Sequence, residues 1–267
     1  MPPAARRWHK RFCAFLWPDQ VAGLDGFEHM CYNFTKRCRV ENHPALRQEI
    51  GEYGMKTCVI FGAAEFDALV APVTENELVI AADGGVIHVE KLGIQPDVIL
   101  GDFDSLGYVP QGARVYPVEK DDTDSMLAVR LGLEAGCKRF LLYGALDGPR
   151  LDHTVANMQT LLYLANHGAK GFLIGRNQII TTIREETVVF PKEFAGIFSL
   201  FCMGQTAEGI TLRNLKYALE DGELDSGFPL GVSNHFTGEK ASVTVKKGTL
   251  LAIYEAENGL LPEDAVC

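Results

Sequence analysis

The stretch Pro96-Asp97-Val98-Ile99-Leu100-Gly101-Asp102-Phe103-Asp104-Ser105-Leu106 runs a short apolar segment straight into two carboxylates one residue apart. A brief apolar run bounded by Pro and Gly reads as a buried strand, and the acids then stand at its carboxyl end. In extended geometry, side chains two residues apart point to the same side. Asp102 and Asp104 are therefore expected to face one another, and two such charges repel unless a cation joins them.

The same kind of run recurs on both sides of this one. Cys58-Val59-Ile60-Phe61, Leu78-Val79-Ile80-Ala81, Arg114-Val115-Tyr116, Phe140-Leu141-Leu142-Tyr143 and Phe172-Leu173-Ile174 are short and apolar, and amphipathic segments separate several of them. Ser125 to Ala135 carries Leu127, Val129 and Leu131 with Gly136 just past its end. Val155, Met158, Leu162 and Ala165 keep the helical period up to Gly168. Strands alternating with helices predict a parallel α/β sheet. After about residue 180 the helices stop, and TTIREETVVF, GIFSLFCM, GITLRNLKY and ASVTVKKGTLLAIYE are strand-like pieces, with Lys247-Gly248 predicted as a hairpin turn. The fold class expected is α/β, a parallel-sheet domain over 55–180 followed by a smaller antiparallel β-sandwich domain over 181–267.

Composition narrows the function. The chain has 267 residues, 47% hydrophobic and 22% charged, as in an ordinary globular protein. Nothing approaches the roughly 18 apolar residues of a spanning helix. A formal net charge of -10 argues against sequence-independent nucleic-acid binding, and an anionic ligand would need a metal cation to mediate. Seven scattered cysteines without a C-x-x-C pair predict reduced thiols in a cytoplasmic protein. Residues 1–54 differ from the rest: RRWHKRFCAFLW begins like a signal peptide, but its apolar part is only about six residues and no small-residue cleavage site follows. This segment is read as a poorly ordered extension, with Met55 as a candidate start.

Ligands of open α/β sheets bind outside the carboxyl ends of the strands. The residues there form a series: Asp83-Gly84-Gly85, Asp102-Phe103-Asp104-Ser105, Lys120-Asp121-Asp122-Thr123-Asp124, and Gly144-Ala145-Leu146-Asp147-Gly148-Pro149-Arg150-Leu151-Asp152-His153. Singly, each has a structural reading. Asp83-Gly84 suits a strand-to-helix turn, while Asp122, Thr123 and Asp152 sit where helix caps belong. Together they predict one carboxylate-rich rim with an arginine. Hard oxygen donors without a Cys or His cage suit Mg²⁺, which fills its remaining positions with water and substrate phosphates. Arg150 offers a fork for phosphate oxygens. Neither G-x-x-x-x-G-K-[ST] nor a G-x-G-x-x-G after the first strand is present, so ATP would bind by another scheme.

ADGG, PDVILGDFDSL, KDDTDSMLA, GALDGPRLDHTVAN and GVSNHFTGEKASVTVKKGTLL, in this order and spacing from about Met55 to Glu255, resemble the thiamine pyrophosphokinase (thiamine diphosphokinase) family. The resemblance implies an α/β catalytic domain, a thiamine-binding sandwich, and transfer of the pyrophosphoryl group of ATP to the hydroxyl of thiamine, giving thiamine diphosphate and AMP. It implies Asp102, Asp104 and Asp124 at a magnesium–triphosphate centre, with Asp83 and Gly84 close by. Lys120, Thr123, Arg150, Asp152 and His153 would position ATP, and Asn157, one helical turn on, would face the same pocket. Ser233 and Asn234 are the thiamine-side candidates, at an interface between subunits that implies a homodimer. Asp124 is a candidate general base for the hydroxyl proton.

Two departures touch this pattern. Val86 and Ile87 follow ADGG where family members often have ADGG-A-N, and His235 follows GVSN where Glu is frequent. An apolar strand running into Asp-x-Asp also opens the haloacid-dehalogenase-type phosphatases. There Thr or Val stands where this chain has Leu106, and the later TD and RLDH clusters have no role. A DHH-type phosphoesterase fits less well, since Thr154 follows Asp152-His153. A non-catalytic nucleotide or thiamine sensor is the remaining alternative.

Overall fold

The computed structural model describes residues 57–117, 121–255 and 261–264. The expectations for residues 1–54, for Met55 and for Lys120 lie outside them. The elements follow in chain order as β1 (Thr57–Phe61), β2 (Leu78–Ala82), a 3-10 turn (Asp83–Gly85), α1 (Val86–Leu92), β3 (Val98–Gly101), β4 (Arg114–Val115), α2 (Asp124–Glu134), β5 (Arg139–Tyr143), α3 (Leu151–Asn166) and β6 (Lys170–Ile174). The rest is strand: β7 (Gln178–Arg184), β8 (Thr187–Phe190), β9 (Ile197–Cys202), β10 (Thr206–Arg213), β11 (Leu219–Asp225), β12 (Asn234–His235), β13 (Ala241–Thr244), β14 (Thr249–Glu255) and β15 (Glu263–Asp264).

Each apolar run singled out in the sequence lies in a strand or extends one. β1, β2, β5 and β6 are buried almost end to end, as strands covered on both faces must be. They pair in parallel in the spatial order β4-β3-β2-β1-β5-β6. The order reverses between β1 and β5, which makes that crevice the topological switch point. The two expected helices are α2 and α3; Thr123 caps α2, its hydroxyl accepting the Met126 N–H at 3.2 Å. No helix lies in the described connection between β1 and β2.

The change of element type near residue 180 falls inside β7, and the sheet does not stop there. β7 pairs antiparallel with β6, then β14, β9 and β12 follow, so one ten-stranded sheet runs through both halves of the chain. A second, antiparallel sheet of order β11-β10-β13-β8-β15 faces its antiparallel end. The sandwich therefore borrows one of its two layers from the sheet that carries the α/β half. Phe190 of β8 meets Phe198 of β9 edge-on at 5.2 Å and Tyr254 of β14 at 5.7 Å, and Phe194 and Phe236 complete this aromatic core. Burying such a ring is worth about 2–3 kcal/mol.

The expected hairpin at Lys247-Gly248 is not one. β13 pairs with β8 and β10 in the small sheet, while β14 pairs with β7 and β9 in the large one. The turn is a corner at which the chain changes sheets, with Gly248 at φ 94°. Glu185-Glu186, between β7 and β8, makes the matching corner, and Val245 N–H donates to Glu186 C=O at 3.0 Å. Both segments alternate as strands do, and alternation alone does not tell which sheet a strand joins.

Candidate active site

Three carboxylates meet where β2 and β3 end. Asp83, Asp102 and Asp104 each offer one oxygen, and these oxygens lie within 4.8 Å of one another. Asp83 opens the turn after β2 at φ 48°, and its Oδ2 accepts the Ser105 hydroxyl at 3.1 Å. Its Oδ1 is buried without a hydrogen-bond partner. Like charges this close are costly unless a cation neutralises them, and the all-oxygen donor set fits Mg²⁺.

Asp102 and Asp104 do converge, but not as alternate residues of a strand. β3 ends at Gly101, and Phe103 is buried in the left-handed region at φ 57°. Asp104 N–H turns back to Asp102 Oδ1 at 3.4 Å. The ring of Phe103 thus anchors a tight turn that holds one carboxylate on each side of it. A bulky residue in this conformation costs roughly 1–2 kcal/mol, which the surrounding packing must supply. Asp147, in the loop after β5, is similarly held at φ 59°, with its Oδ2 accepting the Arg176 N–H at 2.8 Å.

Backbone approaches closely along the same rim. A Cβ on Gly85 would overlap the Phe61 carbonyl, and one on Gly144, at φ 64°, would overlap the Gly62 carbonyl. The loops after β1, β2 and β5 therefore pack backbone to backbone at the switch point, a role for glycine that, for Gly144, its position directly after an apolar run signals.

Arg150 and Asp152 flank this rim in a two-pronged pair: Arg150 Nε donates to Asp152 Oδ1 at 3.2 Å and Nη2 to Oδ2 at 2.6 Å. Their hydrogen bond holds the Asp152 carboxyl below its ordinary range and raises the Arg150 guanidinium. Both side chains are about two-thirds exposed, at 65% and 64%, so the pair orients more than it stabilises. Three of the five guanidinium N–H groups remain free of Asp152.

The remaining expected residues sit as follows. Gly84 is buried beside Asp83, and His153 is exposed in the first turn of α3. Asp124 is the first residue of α2; among the described residues it is not one of the three clustered acids. Asp122 pairs with Arg130 at 3.1 Å. Asn157 is 6% exposed, and its amide donates to Ala145 C=O at 2.7 Å, which ties α3 to the loop after β5. Val86 is buried and Ile87 is 40% exposed at the departure from ADGG-A-N.

Ser233 and Asn234 lie at the far end of the large sheet. Ser233 is exposed at φ 61°, and its N–H donates to Ser199 Oγ at 3.0 Å. Asn234 is 6% exposed and makes three hydrogen bonds: Oδ1 accepts Tyr217 N–H and His235 N–H, each at 2.9 Å, and Nδ2 donates to Tyr217 C=O at 2.8 Å.

Two family models match the chain in succession: "Thiamin pyrophosphokinase, catalytic domain" over residues 71–173 and "Thiamin pyrophosphokinase, vitamin B1 binding domain" over residues 181–250, together more than half its length. The chain belongs to the thiamine pyrophosphokinase family. A curated thiamine pyrophosphokinase of Bacillus subtilis is 28% identical over 188 residues, 67% of this chain and 87% of that protein. The crystal structure of thiamine pyrophosphokinase from Bacillus subtilis superposes with a TM-score of 0.68 at 26% identity, covering 76% of this chain and all of the other. Yeast thiamin pyrophosphokinase shares the fold, with a TM-score of 0.57 at 16% identity over 78% of this chain and 89% of the other.

Within the thiamine pyrophosphokinase family segment matched as catalytic lie Asp83, Asp102, Asp104, Asp124, Arg150 and Asp152, and within the second lie Ser233 and Asn234. Sequence reasoning passed over Tyr143 and the segment that begins at Gly62. The only signal was Gly62 and Gly144 standing directly after their apolar runs.

Proposed function

We propose that this protein is a thiamine diphosphokinase that transfers the pyrophosphoryl group of ATP to the hydroxyethyl oxygen of thiamine, giving thiamine diphosphate and AMP. The observation that carries this reading is the convergence of Asp83, Asp102 and Asp104 within 4.8 Å at the rim of a parallel sheet. In the proposed step the thiamine oxygen attacks the β-phosphorus, the bond from that phosphorus to the α,β-bridging oxygen breaks, and the alcohol proton passes to a base.

Asp102 and Asp104, joined by Asp83 and assisted by Asp124, are the proposed holders of Mg²⁺. A bound magnesium ion supplies neutralisation of phosphate charge. The other roles belong to the chain. Arg150 keeps three N–H groups for phosphate oxygens while Asp152 fixes its plane, and such placed donors stabilise charge that grows in the transition state. Lys120, Thr123, His153 and Asn157 are proposed to border the nucleotide, Asn157 by holding the Ala145 loop. Asp124 is the proposed base; near-normal turnover of Asp124→Asn would remove it from that role.

Thiamine is proposed to reach Ser233 and Asn234 at an interface with a second copy of the chain. Supporting this, Tyr217, Phe228, Leu230 and Val232 are exposed around that segment at 58%, 67%, 63% and 42%. A cytoplasmic location is consistent with the free thiols of Cys58, Cys137 and Cys202, and no helix among the described residues is long and apolar enough to cross a membrane.

The test is to mix purified protein with Mg-ATP and follow AMP with and without thiamine. Thiamine-dependent AMP is the expected result. Inorganic phosphate released without thiamine would establish a phosphatase instead, and binding without turnover a sensor.

A further inference from the structure

Tyr143, the last residue of β5, is a buried phenol with no part in the chemistry proposed above. Its hydroxyl accepts the Val70 N–H at 3.1 Å, a bond between positions 73 apart in sequence. Its ring stacks on Phe61 at 5.3 Å and tilts against Phe66 at 5.1 Å. Burial pushes the phenol up to about 12, so it stays protonated and neutral. Its main chain holds the other end of the same segment, Gly62 N–H donating to Tyr143 C=O at 2.8 Å, and the next residue adds a second bond, Ala64 N–H to Gly144 C=O at 2.9 Å.

The clamped segment, residues 62–70, crosses the switch point and touches both sides of the candidate site. Ala63 lies against Gly84, beside Asp83: a Cβ on that glycine would come within 2.8 Å of the Ala63 methyl. Ala64 lies against Gly148, 3.5 Å from the same hypothetical atom there, in the loop that leads to Arg150. Phe66 also packs on the ring of His88 in α1, 4.9 Å between centroids. The segment is a spacer wedged between the carboxylate turn and the arginine loop, and Tyr143 fixes both of its ends.

We propose that Tyr143 is a positioning residue: by clamping residues 62–70 it sets the separation between the Asp83, Asp102 and Asp104 carboxylates and Arg150 that a bound triphosphate must span. This rests on the proposed function. A triphosphate meets both sides at once, so loosening the spacer weakens nucleotide binding before it affects the distant thiamine side.

The test compares Tyr143→Phe, which removes one hydroxyl and keeps the ring, with Tyr254→Phe. Tyr254 is equally buried and its hydroxyl has no hydrogen-bond partner, so it controls for loss of a buried phenol oxygen. In Tyr143→Phe the KM for Mg-ATP is expected to rise about fivefold, the loss of one hydrogen bond. The KM for thiamine should stay within about twofold, and hydrogen exchange at the Val70 amide should quicken. Tyr254→Phe should change none of these. An unchanged KM for Mg-ATP in Tyr143→Phe, or an equal change in Tyr254→Phe, overturns the proposal while leaving the enzyme's function intact. Failure of the functional reading shows differently, as wild-type protein that forms no AMP with thiamine, and it takes this proposal with it.

Discussion

The two ends of the large sheet treat their polar residues in opposite ways. At the carboxylate rim, Asp83, Asp102 and Asp104 crowd together, two backbone positions there sit in the left-handed region, and Asp83 Oδ1 is buried with no hydrogen-bond partner. At the other end, Asn234 is equally conspicuous in sequence, yet its amide makes three hydrogen bonds to the backbone around it. At the first end one buried carboxylate oxygen has no hydrogen-bond partner, whereas at the second both polar atoms of the Asn234 amide are bonded to the backbone around them. Ser233, one residue away, has the exposure that Asn234 lacks.

Four changes would break or sharpen this contrast. Asp104→Asn keeps the shape of an exposed side chain and removes one charge from the cluster. Thiamine-dependent AMP formation should fall by about 10²–10³ with the unfolding midpoint unchanged, and near-normal turnover would dissolve the distinction at its catalytic end. Asn234→Ala should act on stability, costing about 2–4 kcal/mol in urea unfolding because it strands the Tyr217 backbone groups. If that variant instead folds normally and raises only the KM for thiamine, the amide belongs to the ligand.

Thr123 sits between the two types, since it caps α2 and is also proposed to border ATP. Thr123→Ala should lose about 1 kcal/mol of stability, which Thr123→Ser restores. A loss of activity that serine does not restore would assign it to neither role as stated. The smallest effect concerns Asp152, whose folded carboxyl is held low by Arg150. A depressed carboxyl contributes stability above its ordinary pKa and loses it as the pH falls through the lowered folded value. NMR titration should therefore find Asp152 ionised to lower pH than in Arg150→Gln, with little change in the melting temperature.

Much of the architecture was legible because apolar runs and helical periods report burial directly. The parallel strands, α2, α3 and the loss of helices after residue 180 all follow from that pattern. Which sheet each later strand joins was not legible, since β13 and β14 differ in partners but not in alternation. The site followed the same rule. Asp102 and Asp104 were visible as a pair, but the turn that joins them depends on Phe103 adopting a conformation that its residue type disfavours. Asn157 and Asn234 stand out in sequence as amides, but the backbone groups they are bonded to, Ala145 C=O and the main chain of Tyr217, are visible only in the fold. Tyr143 read as core, and its hydroxyl becomes informative only beside Val70.

β6 and β7 are neighbours in one hydrogen-bonded ladder, Phe172 opposite Thr181 and Ile174 opposite Ile179. That seam joins the segment matched as catalytic to the segment matched as vitamin-binding, and it is continuous sheet rather than linker. Among the described residues this seam is built as a girder is, with no joint between the two matched segments, so any closing movement proposed around substrates would come from the loops on the rim or from the approach of another molecule.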